Sequence, residues 1–471
     1  MNITFRNTVL KQLALAACVV QTSVCVAAEP HGSFSETVIG SLATPPLTRG
    51  PYLSRSSNGC HVAWIGQSGD ALCLVLDGKV LVREEVIGHA TFSPDGSHLA
   101  YTKAKDGVWS VMGGNRVDGQ TFDGIADGDP VWSADGKRTA YSAMRGGKWF
   151  LVVDGVSNGP YSLIGDGVPI FSAAGSTAAF CAKKDDKWFV VYDGKEDGPY
   201  DDLVKGSLAL TADGKRLAFA AKHASWFVVE NGRRGPDYDE IGENAVLFSP
   251  DGKRIAIACA KAGKWMVEVD GKTSTTYDSI MGNSLKFSPD SKRFAYAALQ
   301  EGNWVVVVDG TGGAKYGHIG DGSPVWSPDS KRVAYIAEQN GDWLVVVDNS
   351  SSTSAQGVCS LTFSPDGKRF AFGGYRDGKW FVSVDGKEGM FNDGFKGDVL
   401  FSPDSKHVAF AGLRGNKCVV VVDGKASGGF DGVVCQPVFR SDGRLELLAR
   451  RNTDLYRVVW SANDSAPLDR P

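Results

Sequence analysis

Short runs of β-branched and aromatic residues alternate along this chain with turns rich in Gly, Asp and Pro. No repeated segment spaces its apolar residues as a helix would. The stretch Gly320 to Asn349 illustrates the pattern. A mainly apolar run, Ser323 to Ser327, stops at Pro328-Asp329-Ser330. A second run, Lys331 to Ala337, is followed by the polar turn Gln339-Asn340-Gly341-Asp342 and a third run, Trp343 to Val347. Pro presets φ and Gly or Asn tolerates positive φ, so each stop predicts a hairpin turn between strands. The third run closes on Asp-Gly in most copies (Asp154-Gly155, Asp270-Gly271, Asp309-Gly310, Asp385-Gly386), and a weaker fourth strand is expected beyond it, as in Tyr161 to Ile164 or Tyr277 to Ile280. Runs such as Val305 to Val308 and Val419 to Val422 do not alternate with polar residues, which predicts strands covered on both faces.

The unit repeats. The phrase FSPDGKRIAIA at 248–258 returns with its Ser, or the residue in that place, at Ser56, Ser93, Ser133, Ser172, Thr211, Ser249, Ser288, Ser327, Ser364, Ser402 and Arg440. Eleven copies in register, each of four antiparallel strands in roughly 40 residues, predict an all-β fold of β-propeller blades. The regular spacing favours one ring of about eleven blades over two smaller propellers in tandem. Phe34 to Gly40 has the character of a strand that the last copy lacks, and is expected to complete that blade and cover its open edge.

The phrase FSPDGKRxAY, followed by a Trp-led strand ending in VVDG, resembles the WD40-like repeat of TolB-type β-propellers over roughly residues 50 to 460. The Gly-His and Trp-Asp signatures of true WD40 units are missing. The helical domain that accompanies the propeller in TolB has no counterpart in this sequence.

Composition narrows the function classes. The chain has 471 residues, 58 of them Gly, and a net charge of −4, which implies no nucleic-acid partner. Arg6 and Lys11 precede the apolar stretch Leu13 to Val20, and Val26-Ala27-Ala28 then reads as the end of a signal peptide covering 1–28. Leu15-Ala16-Ala17-Cys18 offers a competing lipoprotein site, with a lipid on Cys18. Otherwise no segment could span a bilayer, and the mature protein is expected to be periplasmic or secreted. Cys60, Cys73, Cys181, Cys259, Cys359, Cys418 and Cys435 read as small buried hydrophobes rather than a disulfide framework.

Catalytic motifs fail on context. Gly155-Val156-Ser157-Asn158-Gly159 fits G-x-S-x-G, but falls where a neighbouring copy has Gly194-Lys195-Glu196-Asp197-Gly198, not at a strand-to-helix elbow. With the last copy ending near Trp460, a hydrolase domain of the prolyl-oligopeptidase kind is not expected. The S-x-D-x-G box of sialidases does not fit, because Gly directly follows Asp here. Trp109, Trp149, Trp188, Trp226, Trp265, Trp304, Trp343 and Trp380 open strand three, and their recurrence predicts core rather than a sugar platform. The seven histidines show no metal-ligand spacing. No catalytic, cofactor or metal residues are assigned.

One constellation remains as a candidate ligand site. Asp127, Asp129, Asp166, Glu243, Asp321 and Asp398 fall in the segments leading into strand one, and are expected near the mouth of an axial channel. Lys105, Arg145, Lys148, Lys184, Lys187, Lys264, Arg376, Lys379, Arg414 and Lys417 flank the turn between strands two and three, and are expected further out. An acidic mouth inside a basic annulus would suit a cation or a positively charged peptide segment. The leading reading is an exported, non-enzymatic scaffold that binds a protein, peptide or envelope polymer. The alternatives are a carbohydrate-active lyase or glycosidase using those carboxylates, and a structural component of a TolB-like envelope assembly.

Overall fold

The computed structural model describes residues 32–41, 53–57, 61–113, 119–126, 130–165, 169–352 and 354–462. Strands and turns make up these residues, with no helix among them. Among the described residues, therefore, no helix is long and apolar enough to cross a membrane. The signal-peptide and Cys18 expectations lie outside the described residues.

Eleven antiparallel sheets follow one another along the chain, as expected of β-propeller blades. The chain divides into two compact units. Eight sheets lie in Ile39–Ser352; the other three lie beyond residue 352, in the unit that also takes in residues up to Val38. Counting blades in chain order, the third runs from Gly124 to Tyr161, the fourth from Leu163 to Tyr200, and the fifth from Asp202 to Tyr238. The sixth spans Glu240 to Thr273, the seventh Ser279 to Tyr316, and the eleventh Gly432 to Ser461.

The two middle strands match the sequence reading. In the sixth blade Ile255–Lys261 pairs with Lys264–Val269 through Ala256 opposite Val269 and Ala258 opposite Val267. Ala256, Ala258 and Val267 pack on Tyr296, Ala298 and Val305 of the seventh blade in one apolar cluster. That contact explains why these strands are apolar on both faces.

The outer strands differ from expectation. Tyr161 ends the fourth strand of its blade, Val156–Tyr161, whereas Leu163–Ile164 already opens the next sheet. Likewise Ser279–Ile280 pairs with Phe294–Gln300 of the seventh blade, not with the sixth. The first strand is thus split. Two residues pair, a few residues bulge out, and two more pair before the phrase begins, as Ser279–Ile280 and Lys286–Phe287 do. Paired stretches of two residues are too short to show strand periodicity, which is why the sequence placed this boundary late.

The expected closing strand is present. Ser33–Ser41 adds to the edge of the last sheet beside Asp454–Ser461. Ser35 donates to the Val459 carbonyl (3.4 Å), Glu36 pairs with Arg451 (3.1 Å), and Phe34 packs into the cluster around Leu447 and Trp460. An otherwise bare sheet edge is covered.

Candidate functional site

Most charges in the repeat are engaged in construction. In the sixth blade the Ser249 hydroxyl donates to Asp251 (2.6 Å) and accepts the Arg254 amide (3.0 Å), while Asp251 also accepts the Lys253 amide (3.1 Å). This closes the turn on itself, and Ser249 is buried. The Arg254 guanidinium then joins two blades. Its Nε donates to Asp270 in the Asp-Gly turn of its own blade (2.8 Å). Its Nη1 donates to the Ser291 and Lys292 carbonyls of the seventh (3.2 and 3.0 Å), and the group lies 5.2 Å from the Phe287 ring. Arg138 does the same with Asp154, Gly175, Ser176 and Phe171. Arg293 and Arg369 repeat it at later joints. A planar donor fork suits this task, because one group can serve a carboxylate and turn carbonyls together.

A second fastener uses the supposed basic annulus. Lys264 at the start of strand three pairs with Asp278 (2.8 Å), which also accepts the Glu301 amide of the seventh blade (2.8 Å). Lys187 pairs with Asp201 (2.6 Å), Lys417 with Asp431 (2.6 Å), and Lys379 with Asp393. The lysine in each case holds the Asp carboxyl below its ordinary range. Arg376 is bound by both oxygens of Glu388, and Arg145 donates to the Thr121 carbonyl and lies 4.4 Å from the Phe122 ring. The expected open basic annulus is therefore largely neutralised at these positions.

The bulges of the first strands are built differently. Buried Ser207, Ser284 and Ser323 each accept an amide from strand two (Ala220, Ala297 and Ile336, at 3.0, 3.0 and 2.9 Å), which pins the base of the bulge. Asn244 and Asn283 supply the positive φ that the excursion requires, at 54° and 65°. In the fourth blade the Gly165 position faces Trp188, whose ring would lie 3.0 Å from an added Cβ. The strand-three tryptophans are half-buried, and Trp149, Trp188, Trp226, Trp265 and Trp304 pack against the core, in line with the core reading.

The bulge tips are exposed and differ from blade to blade. In the larger unit they present His89, Lys205, Glu243, Asn244, Asn283 and Asp321; in the smaller, Lys396, Asp398 and Gln436. Three of the six candidate carboxylates are thus placed on bulges, not in loops between blades. The other three, Asp127, Asp129 and Asp166, lie outside the described residues. Lysines interrupt the acidic row. Asp398 accepts a bond from Ser360 (3.3 Å), whose hydroxyl also accepts the Val399 amide (2.6 Å). No cluster of three or more His, Cys, Asp or Glu capable of holding a metal occurs among the described residues. The six described cysteines form no disulfide. Ser157 of the G-x-S-x-G match sits in an outer strand and donates to Gln120 (2.7 Å), with no helix behind it. A cleft of about 740 Å³ separates the outer edges of the fifth and sixth blades, bordered by Arg233, Arg234 and Glu268.

One departure from the repeat escaped the sequence reading. Strand two carries Ala at the same register in ten blades: Ala63, Ala100, Ala140, Ala179, Ala218, Ala256, Ala295, Ala334, Ala371 and Ala409, all 0 or 1 % exposed. The eleventh has Glu446 there, equally buried. Arg440, in the place of the phrase Ser, pairs with one of its oxygens, and Arg457, opposite Leu448, approaches the other (3.4 Å). The position of Arg457 holds Val267 in the sixth blade and Val306 in the seventh. Aligning the copies column by column would have exposed this exchange.

No family model matches the chain, and no curated relative matches it. Among solved structures, a eukaryotic initiation factor is similar at 12 % identity and TM-score 0.41, over 69 % of this chain and 97 % of that one. The β-propeller domain of the Trilobed protease from Pyrococcus furiosus is similar at 17 % identity and TM-score 0.28, over 57 % and 95 %. TolB from Acinetobacter baumannii is similar at 13 % identity and TM-score 0.25, over 60 % and 79 %. The fold assignment here rests on the eleven sheets and their strand order. The chain is a β-propeller protein of four-stranded blades.

Proposed function

We propose that this chain is an exported, non-enzymatic β-propeller that binds a protein, peptide or envelope polymer through its first-strand bulges. The observation that carries this reading is a division of labour. Turn charges recur and are engaged in blade joints, whereas the bulge tips are exposed, polar and different in each blade. A surface that varies on a scaffold that does not is where recognition is expected. The mixture of Lys205, Glu243, Asn283 and Asp321 suits a polar partner bearing both charges, rather than a simple cation. The likeness of the repeat to TolB-type propellers and the signal-like N-terminus support placement in a cell envelope.

The test uses the full chain immobilised in an envelope extract. Combined Lys205→Ala, Glu243→Ala, Asn283→Ala and Asp321→Ala is expected to abolish capture of a saturable component with the fold unchanged by circular dichroism. Undiminished capture by that variant would remove the bulges from the account. Turnover of any member of a polysaccharide panel would replace the scaffold reading with an enzymatic one.

A further inference from the structure

The fourth blade has no arginine or histidine at the fastening position, which holds His61, His98 and His407 in the first, second and tenth blades and Thr177 in the fourth. At the joint between the third and fourth blades, Arg138 fills a seat made of Asp154, the Gly175 and Ser176 carbonyls and the Phe171 ring. One joint beyond the gap, between the fifth and sixth blades, Arg216 fills the same seat with Glu230, the Gly252 carbonyl and Phe248. Between them, the fourth blade carries Thr177 where the arginine belongs. The rest of the seat survives. Asp193 stands in the Asp-Gly turn, Gly214 and Lys215 supply the turn of the fifth blade, and Leu210 replaces the aromatic ring. A cavity of about 400 Å³ opens there, lined by these residues and Tyr192.

The short Thr177 side chain bonds the Gly214 carbonyl (3.1 Å) and only grazes the Asp193 carboxylate (3.5 Å). Asp193 is exposed, whereas Asp154 at the filled seat accepts Arg138 at 2.7 Å. Lys215 projects outward, 82 % exposed, toward Asp213. The space therefore keeps the acceptors for a guanidinium and has lost the guanidinium itself.

We propose that this vacated seat binds an arginine side chain presented by a protein or peptide partner. The same chain supplies the template: two flanking joints show how an arginine sits against a carboxylate and turn carbonyls. A carboxylate with adjacent carbonyl acceptors matches the planar donor fork of arginine better than the compact ammonium of lysine. Leu210, smaller than a ring, leaves room for a side chain arriving from outside. The seat lies at the turn end of the blades, away from the bulges, so this inference does not depend on the bulge reading.

The experiment titrates the full chain calorimetrically with N-acetyl-arginine-methylamide, with its lysine counterpart, and with free arginine. The capped arginine is expected to bind at least about tenfold more tightly than the capped lysine, a difference of about 1.4 kcal/mol. Thr177→Arg fills the seat from within, and should remove binding and raise the thermal midpoint. Asp193→Asn should weaken binding at least about tenfold, and decides the matter if Thr177→Arg does not fold. Lys272→Ala, on the exposed outer strand of the sixth blade, should change nothing. Equal affinity for both capped residues, no binding, or binding that survives in folded Thr177→Arg would each overturn the proposal. Free arginine binding as tightly as the capped residue would also overturn it, by assigning the seat to the amino acid rather than to a partner.

Discussion

The sixth blade and the eleventh share strand plan and pairing, yet they hold charge in opposite places. In the sixth, Arg254, Asp270 and Asp251 stand at the rim in contact with solvent, and the packed face carries Ala256 and Val267. In the eleventh, the rim has lost its Ser, and Glu446 is buried at the register of Ala256 between Arg440 and Arg457. Rim charge can change one residue at a time, because water takes up what a lost partner leaves. Buried charge cannot, so the three exchanges occur together. The same logic explains how Thr177 can stand at a rim position held by arginine in other blades, with the Asp193 carboxylate left to solvent.

Breaking the eleventh blade gives the largest expected effect. Glu446→Ala removes the buried carboxylate that two arginines, 27 and 29 % exposed, share, and should cost about 2–3 kcal/mol in urea unfolding once solvent screening is allowed for. The triple exchange Arg440→Ser, Glu446→Ala and Arg457→Val restores the ordinary pattern, and should recover most of that loss or exceed wild type. A triple variant as unstable as the single one would show that the triad is not a compensated set.

The corresponding cut in the sixth blade is milder. Arg254→Ala loses hydrogen bonds at a half-exposed rim and should cost about 1–2 kcal/mol once solvent screening is allowed for. Acid should act on rims and not on strands. The Ser93 and Ser97 hydroxyls and the Ser97 amide pull Asp95 down to about 2, and the equivalent phrase Ser lowers Asp251, Asp290 and Asp366. A folded-state pKa below the unfolded value adds stability above about pH 4 that is lost as pH falls toward 2. Unfolding midpoints should therefore be insensitive to these groups between pH 5 and 7 and drop between about 4 and 2. An unchanged midpoint at pH 2.5 would contradict their role. The smallest effect is expected at the bulges, where Glu243→Ala or Asn283→Asp should shift stability by no more than about 0.5 kcal/mol.

The middle strands, the turns and the closing strand were legible because each leaves a local mark: an apolar run, an Asp-Gly step, a strand-like segment at a chain end. The split first strand was not, because pairs such as Ser279–Ile280 are shorter than the period that would reveal them. That shift moved Glu243, Asp321 and Asp398 from inter-blade loops onto bulges. The arginine joints were hidden for another reason. Arg254 and the Ser291 carbonyl it reaches are 37 residues apart, and no single copy of the phrase contains both. The repeat period was visible, but the fact that it is also a contact distance was not.

Arg138, Arg216, Arg254, Arg293 and Arg369 each fasten their own blade to the next, and a double-mutant cycle between Arg254 and Phe287 tests this most directly. The two belong to different blades, and the guanidinium lies 5.2 Å from the ring. Unfolding free energies of wild type, Arg254→Ala, Phe287→Leu and the double variant should give a coupling of about 0.5–1 kcal/mol. Strictly additive losses would contradict the packing of the guanidinium on the neighbouring blade's ring, leaving Arg254 only its bonds to the Ser291 and Lys292 carbonyls.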